Sequence, residues 1–331
     1  MIIRTRAFAR AGLIGNPSDA FYGKTIAVAV PDFRAEVVLY ESPNVQIVPN
    51  ERDMSEFDSV EALIRDVKLH GYYGGVRLLK ATVKRFVDYC RQHDIHLPDR
   101  SFTVRYHTDI PRLVGLGGSS AIIVAALRAL MQFYQVHIDE QQQPSLALSV
   151  ETDELSIPAG LQDRVAQVYE GVTYMDFQRD LMEASGYGQY EPLAPELLPP
   201  LYIAFAADQA EPTEKAHSTV RVLYDRGEPK VIDTMNEIAS LAAEAREHLL
   251  ARRTDALGPL INRNFDLRAA IFPINPDHRA MVEVARSAGA TAKFAGSGGT
   301  IIGTYDSPDT LAAVRGKLEP MGCKVIELQV R

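Results

Sequence analysis

Three glycines and two serines, Gly115, Gly117, Gly118, Ser119 and Ser120, stand immediately before an apolar helical pattern. A glycine-rich turn that opens a helix presents unpaired backbone N–H groups at the positive end of the helix dipole, which makes it an anion site, phosphate above all. The two hydroxyls could touch a phosphate or a magnesium ion. Taken alone, glycine-serine before a helix is commonly a plain turn and cap. Two other clusters bear on the choice. Arg10, Asp19 and Lys24 flank one tight turn built from Gly12, Gly15, Asn16, Pro17 and Ser18. Glu151 lies about a dozen residues ahead of a Gly-Leu-Gln-Asp turn that ends at Asp163.

Elements must position these groups. Ser101–Tyr106 alternates as a strand, and Ile122, Ile123, Ala126, Leu127, Leu130, Phe133 and Tyr134 repeat at helical spacing, so a strand feeds the loop and a helix leaves it. The Walker pattern fails because no lysine occurs between Pro111 and Leu130. The dinucleotide pattern fails because Ser120 stands where a third glycine is required. Strands are expected at Ile2–Arg10, Thr25–Val30, Ala35–Tyr40 and Val45–Val48, and helices at Ser59–Leu69 and Val76–Cys90, with Tyr72 and Tyr73 in the break between them. Leu146–Glu154 reads as a helix end. Tyr187–Pro200 is the expected domain boundary, giving domains 1–190 and 191–331. Beyond it come a strand at Leu201–Ala206, a polar loop or lid over 208–221 with Lys215, His217 and Arg221, and a long amphipathic helix at Val231–Ala251. Two further helices, Asp255–Phe272 and Asp277–Ser287, precede a glycine loop at Gly296–Gly299 between strands; helix Pro308–Pro320 and strand Lys324–Val330 follow.

Composition narrows the class. The chain has 331 residues, 46% hydrophobic and 24% charged, as in a soluble globular protein of two domains. Net charge is −8 and no basic tract occurs, so nucleic acid is not an expected partner. Cys90 and Cys323 form neither a metal spacing nor a disulfide framework, and no apolar run approaches the ~20 residues that span a bilayer. A cytoplasmic location with no membrane contact is expected.

As it stands, Pro-x-x-x-Gly-Leu-Gly-Gly-Ser-Ser-Ala resembles the central motif of the GHMP kinases (galactokinase, homoserine kinase, mevalonate kinase, phosphomevalonate kinase). Arg10, Leu13, Ile14, Gly15 and Asp19 align without a gap to that family's first motif, although its Glu-His pair is replaced by Asn16-Pro17, which points away from galactose. Gly296-Ser297-Gly298-Gly299 matches the third motif. Tyr22–Thr25, Gly160–Tyr169, His217–Arg221 and Asn264–Arg268 are similar to a glucuronokinase-like branch of sugar-1-kinases, with echoes in heptose-phosphate kinases.

The resemblance implies an α+β GHMP kinase fold, with a ribosomal-protein-S5-domain-2-like N-terminal domain and a ferredoxin-like C-terminal domain. It implies an ATP- and Mg2+-dependent kinase acting on a sugar hydroxyl, the anomeric O1 of glucuronic acid in that branch. Gly115, Leu116, Gly117, Gly118, Ser119 and Ser120 would hold the ATP phosphates. Ser120 and Glu151 would hold Mg2+, with Glu154 as fallback. Asp163 and Arg10 would be catalytic. Asp19, Lys24, Arg77 and Gly298 would meet the substrate, an anionic sugar, in a monomer or homodimer. The alternatives are another acceptor, such as a heptose phosphate or galacturonic acid, and a catalytically silent nucleotide-binding regulator.

Overall fold

Alternating burial along the first residues makes a long strand, β1 (Ile2–Ile14), and β2 (Lys24–Glu41) follows a tight turn that holds a short 3-10 helix at Ser18–Phe21. β2 is one strand where the sequence suggests two. Pro31 lies between its two ladders, because Lys24–Val28 pair with β5 (Val172–Asp176) and Ala35–Glu41 with β4 (Phe102–Thr108). A missing N–H is tolerated there. The computed structural model describes residues 1–50, 53, 59, 60, 64, 74–206 and 214–330. The expected helix at Ser59–Leu69, the break with Tyr72 and Tyr73, and the stretch 208–213 of the expected lid lie largely or wholly outside the described residues, as do the side chains of Lys215 and His217.

The remaining elements, in chain order, are β3 (Gln46–Val48), α1 (Gly75–Gln92), β4, α2 (Gly118–Tyr134), α3 (Gln143–Ser149), α4 (Gln162–Tyr169) and β5. Then come α5 (Arg179–Ser185), β6 (Gln189–Leu193), β7 (Leu201–Ala206), α6 (Glu214–Asp225), α7 (Pro229–Leu250) and α8 (Leu257–Ile271). α9 (Pro276–Ser287), β8 (Lys293–Phe294), β9 (Thr300–Thr304), α10 (Pro308–Leu318) and β10 (Cys323–Leu328) complete the chain. α6 begins inside the segment 208–221 read as a polar loop or lid, so that reading is corrected from Glu214 onward. α5 has no buried residue, which is why no apolar period announced it.

The chain forms two compact units, and neither is continuous in sequence. The first comprises Met1–Ala9, Asp32–Ile110 and Gly117–Val168. Here β4 pairs antiparallel with β2 and parallel with β3, and α1 and α2 cover a core of Leu39, Leu78, Leu79, Phe86, Phe102, Ile123, Leu130 and Phe133. Phe102 meets Phe133 edge to face at 5.5 Å, the arrangement the ring quadrupoles favour. α2 is apolar nearly all round because it is buried nearly all round.

The second unit comprises Arg10–Pro31, Pro111–Leu116 and Tyr169–Arg331. β5 pairs antiparallel with Lys24–Val28 and with β6. Among the described residues a second sheet has the order β10-β7-β9-β8, antiparallel throughout. Its core joins Tyr202, Ile301, Phe294 and Val325 of the strands to Phe265, Met281, Val282, Val314 and Leu318 of the helices. The 190/191 boundary expected from sequence falls inside β6.

Candidate active site

In the first unit the chemistry gathers at the start of α2. Gly117 caps the helix with φ +74°, a left-handed conformation that a side chain would strain, so the glycine is needed there. Its carbonyl is held twice: Ser120 Oγ donates to it at 3.0 Å and Gln167 Nε2 at 2.7 Å. Ser120 is fully buried, and its hydroxyl serves the loop's own backbone. Ser119 is the serine that meets the glutamate, with Oγ donating to Glu151 Oε1 at 2.9 Å.

Glu151 sits in a π-helical turn, Val150–Glu154, that follows α3 directly. Such turns are frequent at functional sites because the extra residue re-aims a side chain. Its other carboxylate oxygen meets the guanidinium of Arg164. Both side chains are almost completely buried, at 4% and 3% exposure, so the charges neutralise each other away from water. Arg164 also donates from Nη1 to the Gly160 carbonyl at 2.8 Å and lies 3.7 Å from Asp163 Oδ2. One guanidinium therefore spans the two carboxylates. Asp163, in the first turn of α4, keeps 21% of its side chain exposed and can meet a ligand.

α1 seats the π turn with its basic face. Arg85 Nε donates to Ser149 Oγ at 3.0 Å, Lys84 pairs with Glu154 at 2.7 Å, and Arg77 Nη2 donates to the Leu155 carbonyl at 3.1 Å. Arg77, expected to face an acidic substrate, thus bonds the backbone beside Glu151. Glu154 is engaged by Lys84.

The donor set suits Mg2+. A carboxylate and a hydroxyl 2.9 Å apart are both oxygen ligands, and a cation already stands on the carboxylate in the form of Arg164. Among the described residues no group of three His, Cys, Asp or Glu could hold a metal. Mg2+ fits such a sparse site because it keeps waters and phosphate oxygens as its other ligands.

The second unit holds Arg10, Asp19, Lys24, Gly115, Leu116 and Gly298. Arg10, 5% exposed, donates from Nη1 to Gly115 O at 2.6 Å and Ala295 O at 3.3 Å, while its backbone N–H bonds Leu116 O at 3.1 Å. Gly298, at φ +146°, packs its carbonyl against Gly115: a Cβ on Gly115 would stand 2.9 Å from it. Lys24 pairs with Asp176 at 3.0 Å, its register partner on β5. Burial works against the Lys24 charge, but the Asp176 hydrogen bond and the charges of Tyr174 and Asp176 outweigh it and hold the ammonium pKa above its usual value. Asp19, half-buried in the 3-10 helix, acts electrostatically on Arg268 and Lys293.

The sequence assigned neither of these last two cations a role, although Arg268 closes the branch-like segment Asn264–Arg268. Lys293 is 1% exposed, and its ammonium reaches Gly12 O at 2.7 Å, Phe294 O at 2.9 Å and the side-chain oxygen of Asn16. Burial, with repulsion from Arg268 and Arg10, pushes its pKa well below normal. Its three acceptors pull the other way, since an amine has two N–H groups and would leave one oxygen unmatched. Arg268 donates to Gly296 O at 2.7 Å and Ser297 O at 3.0 Å, and burial lowers its pKa to about 10. The available signal was a lone lysine within the apolar run Ala290–Ala295.

Comparison with known proteins follows the same lines. Residues 77–171 match the GHMP kinases N terminal domain, and residues 245–321 match GHMP kinases C terminal. Glucuronokinase 1 of Arabidopsis thaliana is 44% identical over 306 residues, covering 91% of this chain and 84% of the plant protein. The D-glycero-alpha-D-manno-heptose 7-phosphate kinase of Campylobacter jejuni is 24% identical, covering 89% of this chain and 86% of that protein. The crystal structure of Lactococcus lactis galactokinase with galactose has a TM-score of 0.77 at 15% identity, covering 99% of this chain and 93% of its own, a likeness of fold.

Proposed function

The chain belongs to the GHMP kinases and is a sugar kinase, and from that premise we propose that it transfers the γ-phosphoryl group of ATP to the anomeric hydroxyl of glucuronic acid. The observation that carries the chemistry is the line of contacts Ser119–Glu151–Arg164–Asp163 beginning at the N-terminus of α2. The substrate rests on the 44% identity to the plant glucuronokinase.

Phosphoryl transfer needs positioning and charge neutralisation more than covalent chemistry. The backbone N–H groups of Gly115–Ser120 and the α2 dipole hold the ATP phosphates. Ser119 and Glu151 are the residues that would hold Mg2+, with Ser120 as the alternative hydroxyl. When bound, Mg2+ supplies charge neutralisation on the phosphate oxygens. Asp163 accepts a hydrogen bond from the sugar hydroxyl, orients it on the phosphorus and takes its proton. A carboxylate is a weak base for a hydroxyl, yet in a loose transition state the proton leaves late and orientation dominates. Arg10 stabilises the transferring group. Asp19 accepts from sugar hydroxyls. Lys24, Arg77 and Gly298 complete the substrate contacts, and a uronate at Lys24 exchanges with Asp176. The reading includes a cytoplasmic monomer or homodimer.

Asp163→Asn tests the assignment. It keeps the shape and hydrogen-bonding reach but loses the charge and the proton acceptor, a loss of about 10²–10⁴ in turnover for a general base. ATP binding, measured by equilibrium titration, stays at the wild-type level. Unchanged turnover would sink the role given to Asp163.

A further inference from the structure

Four consecutive carbonyls, from the end of β8 into the Gly296–Gly299 loop, are each gripped by a buried cation. Lys293 Nζ bonds Phe294 O at 2.9 Å, Arg10 Nη1 bonds Ala295 O at 3.3 Å, and Arg268 bonds Gly296 O at 2.7 Å and Ser297 O at 3.0 Å. In a trans peptide the N–H points opposite to the C=O of the same unit, and the one cis bond among the described residues is Asn16–Pro17. Drawing these carbonyls toward the cations therefore turns the N–H groups of Ala295, Gly296, Ser297 and Gly298 the other way. Ala295 N–H bonds Thr300 O at 2.9 Å. Among the described residues, the N–H groups of Gly296, Ser297 and Gly298 make no hydrogen bond.

Gly296 and Gly298 are buried, and buried N–H groups without partners are rare because each costs about as much as a lost hydrogen bond. Three unpartnered donors in succession, two of them on buried residues and all on peptides whose carbonyls are polarised by a guanidinium group, suit an anion. Around them the charge is uneven: Arg10, Arg268 and Lys293 are three cations, and Asp19 is the carboxylate that acts on the last two. The same loop is laced to the first part of the phosphate loop. Thr300 Oγ1 bonds Val114 O at 2.6 Å, and Arg10 joins Gly115 O to Ala295 O.

We propose that Arg268 is a positioning residue that holds the Ser297 and Gly298 N–H groups, beside the Gly296 N–H turned by Arg10, as a rim for the oxygens of the transferring phosphoryl group. This rests on the kinase reading above. Arg268 touches no reacting atom; it acts through the peptides it orients. It sits between Phe272 and Phe294, 5.4 and 5.2 Å from their ring centroids, which fixes the guanidinium plane and leaves both carbonyls within its fork. Lysine at this position keeps the charge but cannot span two carbonyls in a fixed plane.

Arg268→Lys and Arg268→Met are the variants, read by ADP release with glucuronic acid and by calorimetric binding of ADP with and without aluminium fluoride, a mimic of the phosphoryl group in flight. Losing an oriented oxyanion donor costs about 10²–10³ in kcat, so a fall of about tenfold is expected for lysine and about a hundredfold for methionine, with KM within about threefold. ADP alone binds as to wild type, while the extra affinity conferred by aluminium fluoride falls by the same factors as kcat. A merely structural residue would weaken ADP and the complex alike. Unchanged kcat, or a kcat loss with undiminished aluminium fluoride affinity, overturns the proposal. Should the methionine variant not fold, the lysine variant carries the test. Wild-type protein inactive on glucuronic acid would instead overturn the substrate reading, while the effect on aluminium fluoride binding could still be measured.

Discussion

Ser119 and Ser120 are neighbours with different partners, Glu151 for one and the Gly117 carbonyl for the other. Ser119→Ala should raise the Mg2+ concentration for half-maximal turnover by about tenfold, as loss of a ligand or of its partner commonly does, and leave the melting temperature near wild type. Ser120→Ala should do the reverse, costing about 1 kcal/mol of stability through a buried hydrogen bond with little change in Mg2+ dependence. The opposite pattern would return the metal to Ser120, the serine that the motif resemblance points to. Spacing in the chain can nominate two adjacent hydroxyls but cannot tell which faces a carboxylate 32 positions away. Arg164, Arg268 and Lys293 were illegible for a related reason. Much of what they hold is backbone carbonyl, from Gly12 to Ser297, and a carbonyl carries no sequence signature.

At the scale of elements, the glycine loops and the helix that follows the first of them were legible because glycine and apolar period are local signals. The π turn was not. It depends on α1 holding Ser149, Glu154 and Leu155 from outside, and that contact spans some sixty to eighty positions. The seating separates the two glutamates functionally. Glu154→Gln breaks a pair whose lysine is 57% exposed and screened by solvent, so turnover should stay within about twofold. Glu151→Gln should remove most Mg2+-dependent turnover and leave Arg164 buried without its charge partner, visible as a lower melting temperature. Equal losses in the two variants would contradict the choice of Glu151. A second element-scale consequence concerns Gly298, where φ +146° excludes a side chain and a Cβ would fall 2.9 Å from His278 Nδ1. Gly298→Ala should therefore lower kcat by displacing the loop while nucleotide binding persists; wild-type kcat would contradict this.

The whole molecule carries net charge −8, yet the residues proposed to meet phosphate and a sugar acid include Arg10, a cation buried in its second unit. Net charge argued against a polyanionic partner and was silent about this local inversion, because burial, not composition, decides where a charge acts. The two-unit division was also beyond a linear reading: each unit gathers three separated stretches, since β1 and β2 run through both. Among the described residues no helix is long and apolar enough to cross a membrane. The most direct test of the account is ADP release by purified protein with Mg-ATP against glucuronic acid, galacturonic acid, glucose, galactose and heptose phosphates. Turnover on glucuronic acid is expected, with sugar 1-phosphate as product and little activity on glucose. Preference for a neutral or phosphorylated sugar, or phosphorylation at another hydroxyl, would contradict it.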